Sequence, residues 1–316
     1  MKIQMLRSGL GNQIWHYSFV RFAERFCPEE EWIFDDSYFF VPAEVLAHKG
    51  NIPNLFNGYE LENVFGLKLN LLSKCCDKSL WNDLIKLRRK GVSTPQILLE
   101  MGMNISVFEG CRGWEEPFTG EIIQPEGKVG FNPAYVTLPR ENVYYHCNWS
   151  KKDWFMSYRE ENLVELAFPS LPDNRNIEYA DMIANSFSVG IHVRRGDFLP
   201  EGFDLPAECY YPVCAEIVSQ HRNTQFFVFS DDIPWCKENQ KEMGLDLAAK
   251  TTYVSGNVGK NSYIDMQLLS MCRGIVRNEL SSFSQVAGWL NRNLQFEVKL
   301  SPRIGEFKWI ETPKST

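Results

Sequence analysis

Ile3, Met5 and Leu6 open the chain as a short apolar run, and Ser8-Gly9-Leu10-Gly11 follows as a turn. From Asn12 to Phe26 the apolar residues Ile14, Phe19, Phe22, Ala23 and Phe26 recur at helical spacing. This predicts a strand, a glycine turn and a helix, with Trp32-Ile33-Phe34 as the next strand. From about 50 to 130 the pattern is less regular: a helix is predicted over 80–90, and Arg112 to Pro133 reads as Gly- and Pro-containing loop. Val143 to Cys147 reads as a strand and Trp154 to Phe168 as a helix. Pro169-Ser170-Leu171-Pro172-Asp173-Asn174 is the strongest breaker cluster, and it predicts two domains, 1–170 and 171–316. Beyond it helices (177–186, 208–220, 234–243, 262–272, 282–293) alternate with strands (187–193, 225–230, 251–254, 274–278). That alternation predicts a parallel α/β sheet with right-handed crossovers, a Rossmann-like layer whose ligands sit at the carboxyl ends of the strands.

Length and composition sharpen this picture modestly. A chain of 316 residues with 44% hydrophobic content can bury two cores. Its net charge of −7 argues against nucleic acid as a partner, since binding phosphate chains needs a clustered basic surface. Nine cysteines are scattered without a CxxC pair or zinc-ligand spacing, so free thiols in a reducing compartment are expected. The first strand begins at Lys2 and no apolar run reaches 18 residues, so the expectation is a cytoplasmic protein without an integral membrane segment. Trp149 and Trp154 belong to a rich aromatic set that suits either sugar faces or a core.

Three predicted strands end in polar residues. Ile191-His192-Val193-Arg194-Arg195-Gly196-Asp197 brings two guanidinium groups, a flexible glycine and a carboxylate to a strand end. Arginine's planar fork matches phosphate oxygens, although an internal Arg–Asp pair accounts for the same residues. Phe229-Ser230-Asp231-Asp232 is either a helix cap ahead of Pro234 or a ligand contact. Ser281-Ser282-Phe283-Ser284-Gln285 delivers hydroxyls and an amide to a helix start, which serves as a cap or an anion seat. A DxD spacing is absent, which disfavours metal-dependent sugar transfer. Gly9-Leu10-Gly11-Asn12-Gln13 lacks the spacing of the known phosphate loops.

Together these segments resemble the α1,2-fucosyltransferases, and more distantly the α1,6- and protein O-fucosyltransferases. Gly9-Leu10-Gly11-Asn12-Gln13 is similar to that family's opening motif, and His192-Val193-Arg194-Arg195-Gly196-Asp197 matches its HxRRxD motif in full. Phe229-Ser230-Asp231-Asp232 with Trp235 resembles its next block. Trp154-Phe155 followed by Arg159-Glu160 is similar to an aromatic-then-helix passage of the family. The stretch from Leu280 to Val286 departs from the usual last motif and looks more like the α1,6 relatives.

The resemblance implies a GT-B fold, with two Rossmann-like domains facing a cleft and the donor held by the C-terminal one. It also implies an inverting, metal-independent transfer of fucose from GDP-fucose to the 2-hydroxyl of a galactoside. Carried onto this chain, Arg194 grips the diphosphate, His192 contacts the nucleotide and Asp265 accepts the guanine N–H groups. Ser284 and Gln285, with Ser282 and Phe283 beside them, meet the phosphates, and Asp231 is a second candidate contact. Asn12, on the opposite domain, helps close over the fucose, and Gln13 beside it is a substrate-binding candidate. A carboxylate base is open between Asp197 and Glu201, and Asp197 has orienting Arg194 as its alternative role. No cofactor is implied beyond the donor, and the acceptor is a glycan, whether free or lipid-linked with peripheral membrane contact. Two other readings keep the same donor site: a fucosyltransferase of different linkage, and a non-catalytic nucleotide- or glycan-binding protein.

Overall fold

Strand β1, Lys2–Met5, is buried along its whole length and is an inner strand of the amino-terminal sheet. The structure, a computed structural model, describes residues 1–47, 57–110, 121–125, 127, 129–301 and 307–311. The chain divides into two units, Met1–Ala167 and Phe168–Thr316, each built on one sheet.

In the first unit β1 is joined by β2 (Trp32–Asp35), β3 (Ser106–Glu109), β4 (Glu121–Ile123) and β5 (Val143–His146). The order is β2-β1-β5-β3-β4, and every pairing is parallel. The first helix, Leu10–Phe26, starts two residues earlier than its periodicity suggested. Its Phe19 carries the packing: the ring stacks on Trp149 at 3.7 Å and meets Trp32 and Trp154 edge-on at 5.5 and 5.1 Å. Trp149 and Trp154 are therefore core residues, 1% and 0% exposed, and neither offers a face to a sugar. Trp149 also donates its indole N–H to Gln4 Oε1 at 2.8 Å, which satisfies the one polar atom of the ring.

The helix expected over Trp154–Phe168 is two short ones, Asp153–Met156 and Arg159–Glu165. Tyr158 leaves helical geometry between them, and Asn162 Nδ2 donates to Phe155 O at 2.8 Å to hold the bend. Part of the expected loop 112–133 lies outside the described residues; the described part contains β4.

The second unit contains β6 (Phe187–Val193), β7 (Thr224–Ser230), β8 (Lys250–Tyr253), β9 (Gly274–Asn278), β10 (Phe296–Leu300) and β11 (Phe307–Glu311). Their order is β11-β10-β9-β6-β7-β8, parallel throughout except for the β10–β11 edge. β6, β7 and β9 lie inside the sheet with helices on its faces, so they read as nearly continuous apolar runs. Gly190 in β6 is required by packing, since a Cβ there would sit 2.3 Å from Leu269 Cδ1. Arg277 interrupts β9 with a charge that is 1% exposed. It is paired with Glu297 of the neighbouring strand β10, and its Nη1 donates to the carbonyls of Asn278 and Glu279 at 3.1 and 3.3 Å. Because the pairings β7-β6-β9 are parallel, the residues after Val193, Ser230 and Asn278 all emerge along one edge.

Candidate functional site

Arg194 is the first residue past β6, and two carboxylates fix it. Its Nε donates to Asp197 Oδ1 at 2.6 Å, three residues on, and its Nη1 pairs with Asp231 Oδ2 at 2.9 Å from the end of β7. Asp231 is itself held by the backbone N–H groups of Arg195 (2.9 Å) and Gly196 (3.2 Å). A Cβ on Gly196 would come within 2.9 Å of the same carboxylate, so the close approach requires glycine. The β6–β7 edge thus gathers the Arg194 guanidinium, the Asp197 and Asp231 carboxylates and two backbone N–H groups into one hydrogen-bonded array.

Arg195 points elsewhere. Its Nε meets Asp232 at 3.1 Å, its Nη1 lies 3.8 Å from Asp204, and its guanidinium stacks over Trp235 at 3.9 Å. Asp232 also caps the helix Ile233–Glu238 by accepting from the Trp235 N–H at 3.1 Å. Of the two adjacent aspartates, Asp232 is the cap, and Asp231 pairs with Arg194 and the Arg195 and Gly196 N–H groups.

His192 lies one strand position inside this edge, 5% exposed, with Phe283 stacked on it at 5.5 Å. Burial, reinforced by the positive charges of Arg194 and Arg277, lowers its pKa to about 3, so the imidazole is neutral at working pH. Its Nδ1 is buried without a hydrogen-bond partner among the described residues. Phe283 belongs to the helix Ser282–Leu290, whose amino terminus has no side-chain cap and no acidic residue in its first turn. Ser282 and Gln285 are partly exposed; Ser284 is fully buried, and its hydroxyl has no partner among the described residues. Asn278, at the end of β9, closes the turn into this helix, accepting from the Leu280 N–H (2.9 Å) and donating to Phe203 O (2.6 Å).

Asp265 sits on the helix Tyr263–Leu269, at the end of a polar chain of a kind that apolar periodicity does not reveal. Asn257 Nδ2 donates to Asp265 Oδ1 at 2.7 Å and to Asn176 Oδ1 at 2.9 Å, while Asn176 Nδ2 donates back to Asn257 Oδ1 at 3.0 Å. Asn176 is anchored in turn by Asp173, whose carboxylate caps the helix Asn174–Ala184. Burial pushes the Asp265 carboxyl up to about 7, against the opposing pull of Asn257 and Arg175.

In the first unit, Ser8 stands between β1 and the first helix at φ 61°, the one non-glycine positive φ among the described residues. Such strain persists where its surroundings hold it. Gln13 does so here: its amide donates to Ser8 O (2.8 Å) and Gly58 O (2.9 Å) and accepts from the Glu60 N–H (2.9 Å). Gln13 is completely buried. The expected substrate contact at Gln13 is accordingly corrected to a structural one, since its amide is engaged by the chain on three sides. Asn12 is partly exposed, and its side chain makes no hydrogen bond among the described residues.

Sequence reading did not single out the remaining polar groups on this sheet's carboxyl edge. His146 Nδ1 lies 2.7 Å from Glu109 Oε2, pairing the ends of β5 and β3. His16 meets Asn148 Oδ1 at 3.1 Å, and burial drives its pKa down to about 3. The signal for Glu109 and His146 is their place at the ends of parallel strands, which needs the sheet order to be seen, whereas His16 lies within the first helix.

The description of Glycosyl transferase family 11 matches residues 131–301, a span that holds the Arg194 array, His192, Asp265 and the Ser282 helix. The chain belongs to that family. The chain is 30% identical over 161 residues to an alpha-1,2-colitosyltransferase of Escherichia coli, covering 49% of this chain and 53% of that protein. It is 28% identical over 134 residues to the O-antigen biosynthesis glycosyltransferase WbnK of Escherichia coli, covering 40% of each. These matches span about half or less of the relatives' lengths. The fucosyltransferase NodZ from Bradyrhizobium aligns over 99% of both chains at a TM-score of 0.49 and 12% identity. The α1,2-fucosyltransferase resemblance of the motifs thus holds at the level of the family, and the second unit supplies its parallel α/β layer.

Proposed function

We propose that the protein moves fucose from GDP-fucose to the 2-hydroxyl of a terminal β-galactoside, with inversion and without a metal. The observation that carries this reading is Arg194, fixed by Asp197 and Asp231 at the carboxyl edge of β6 within the family's matched span. In the reaction the bond from fucose C1 to the diphosphate oxygen breaks and a bond from the acceptor oxygen to C1 forms. Negative charge grows on the leaving diphosphate, and a guanidinium whose geometry is already set stabilises it without reorganisation. The uncapped start of the helix at Ser282 adds backbone N–H donors to the same task. The acceptor proton passes to a carboxylate. Asp197 is engaged with Arg194 and fits the orienting role, which leaves Glu201 as the base candidate.

The metal-free chemistry has a direct test. With Arg194 and helix-end donors carrying the charge, transfer continues undiminished in excess EDTA. An activity that disappears with chelator and returns with Mn²⁺ overturns this reading. The colitosyltransferase relative favours a second donor: the same site taking colitose in place of fucose, with the 1,2 linkage kept. Competition between the two donors in one assay separates these readings.

Asp265 is proposed to accept the guanine N–H groups, for which it must be ionised. Its raised pKa, about 7, makes protonation compete with the nucleotide. GDP affinity should therefore fall as pH drops below about 7, approaching tenfold per pH unit. Asp265→Ala should cost about 1.5–3 kcal/mol of GDP binding and flatten that pH dependence. Titration calorimetry from pH 5.5 to 8 checks both; unchanged affinity in the variant moves the guanine contact elsewhere.

A further inference from the structure

The helix Lys78–Arg88 carries a charge pattern unlike the rest of the chain. Residues 78–90 hold five basic side chains and one acidic one, in a protein whose net charge is −7. The helix is firmly seated: Leu84, Ile85 and Arg88 are buried, and Arg88 Nη1 donates to Val92 O at 3.0 Å. The other four basic groups, Lys78, Lys86, Arg89 and Lys90, are exposed. Lys86, Arg89 and Lys90 line a groove of about 510 Å³ together with Trp81, Asn82 and Phe40. Phe40 meets Trp81 edge-on at 5.2 Å, and Arg89 Nε donates to the Phe40 carbonyl at 3.2 Å, which ties the aromatic floor to its basic rim. Lys78, Lys86 and Lys90 make no ion pair among the described residues. Large apolar side chains stay exposed on these same elements, with Leu80 at 51% and Phe40 at 42%.

Apolar side chains standing in water beside unpaired lysines are poorly explained by the fold's own stability. Their chemistry matches a bilayer interface, where Trp and Phe sit at headgroup depth and Lys and Arg reach anionic phosphates. A nucleic acid would satisfy the lysines and leave Leu80 and Phe40 without partners. No helix of the described residues is long and apolar enough to cross a membrane, so contact through this face would be peripheral.

We propose that the Phe40–Trp81 groove with Lys86, Arg89 and Lys90 docks the protein on an anionic phospholipid surface. The inference does not depend on which sugar is transferred, because the groove shares no residue with the Arg194 array. Lying on the membrane would raise the local concentration of any lipid-linked acceptor without adding to the transfer step itself.

Co-sedimentation of the full chain with vesicles tests the proposal. Binding is expected to vesicles of phosphatidylcholine mixed with phosphatidylglycerol, not to phosphatidylcholine alone, and to weaken as salt screens the lysines. The double variant Lys86→Glu/Lys90→Glu changes two exposed, unpaired side chains and should fold normally. It should lose at least roughly tenfold in vesicle affinity, while turnover of a soluble acceptor stays at the level of the unmodified protein. Trp81→Ala should weaken binding in a way that low salt does not restore. Equal binding to both kinds of vesicle, or full vesicle binding by the double variant, overturns the proposal. Displacement from vesicles by inorganic phosphate too dilute to screen charge would also overturn it, by making the groove a small-phosphate site. RNA retention without vesicle binding would reassign it to nucleic acid.

Discussion

Replacing Arg194 with Ala is expected to lower turnover roughly 10²-fold or more, with donor affinity changed far less. The reason is geometric. Asp197 and Asp231 hold the guanidinium in one orientation, so its charge is in place before the diphosphate becomes a leaving group. Arg194→Lys should recover little, because a point charge cannot keep the fork that spans both carboxylates. Arg195→Ala should reduce turnover less, since that side chain is committed to Asp232 and the face of Trp235. Asp231→Asn should fall between the two, by loosening Arg194 together with the Arg195 and Gly196 N–H groups. Steady-state kinetics on folded variants decides the ranking; near-normal turnover in Arg194→Ala removes the arginine from the mechanism.

Glu297→Ala is expected to give the largest loss of stability, about 3–5 kcal/mol. Arg277 is buried inside β9, and Glu297 is its only carboxylate partner among the described residues. Removing that partner leaves a charge in the sheet with two backbone carbonyls as its remaining contacts. The double replacement Arg277→Met/Glu297→Leu should recover much of the loss, since a well-packed apolar pair costs no desolvation. Urea unfolding of both variants distinguishes a paired buried charge from a surface interaction, for which the single variant would lose under about 1 kcal/mol.

The second unit was legible in the sequence because its strands are buried on both faces. Phe187–Val193, Thr224–Ser230 and Gly274–Asn278 are contiguous apolar runs bounded by helices, and their limits match the structure within a residue. β10 escaped notice although Phe296, Val298 and Leu300 alternate with Glu297 and Lys299, a period-two signal of one buried face. β4 has three residues, too few for periodicity to register, and β3 lies in the irregular stretch between about 50 and 130.

At the site, the strand-end position of Arg194 and Asp231 could be read from the run of residues, but which aspartate held which arginine could not. Asp231 and Asp232 are adjacent and chemically identical; only the end of β7 beside β6 separates their partners. Gln13 misled for the same reason, since an amide in a turn looks equally suited to a ligand or to the Gly58–Glu60 backbone. The Asn176–Asn257–Asp265 chain joins residues 81 positions apart and is visible only in three dimensions.

Transfer of fucose to a galactose 2-hydroxyl, as proposed, leaves a linkage that NMR of the product identifies. The transferase is incubated with GDP-fucose and a terminal β-galactoside, and the purified product is examined for its new linkage. An α-configured fucose H1 is expected, because inversion converts the β-linked donor, with a cross-peak to galactose C2. A β-configured fucose, or a bond to any other acceptor position, contradicts it.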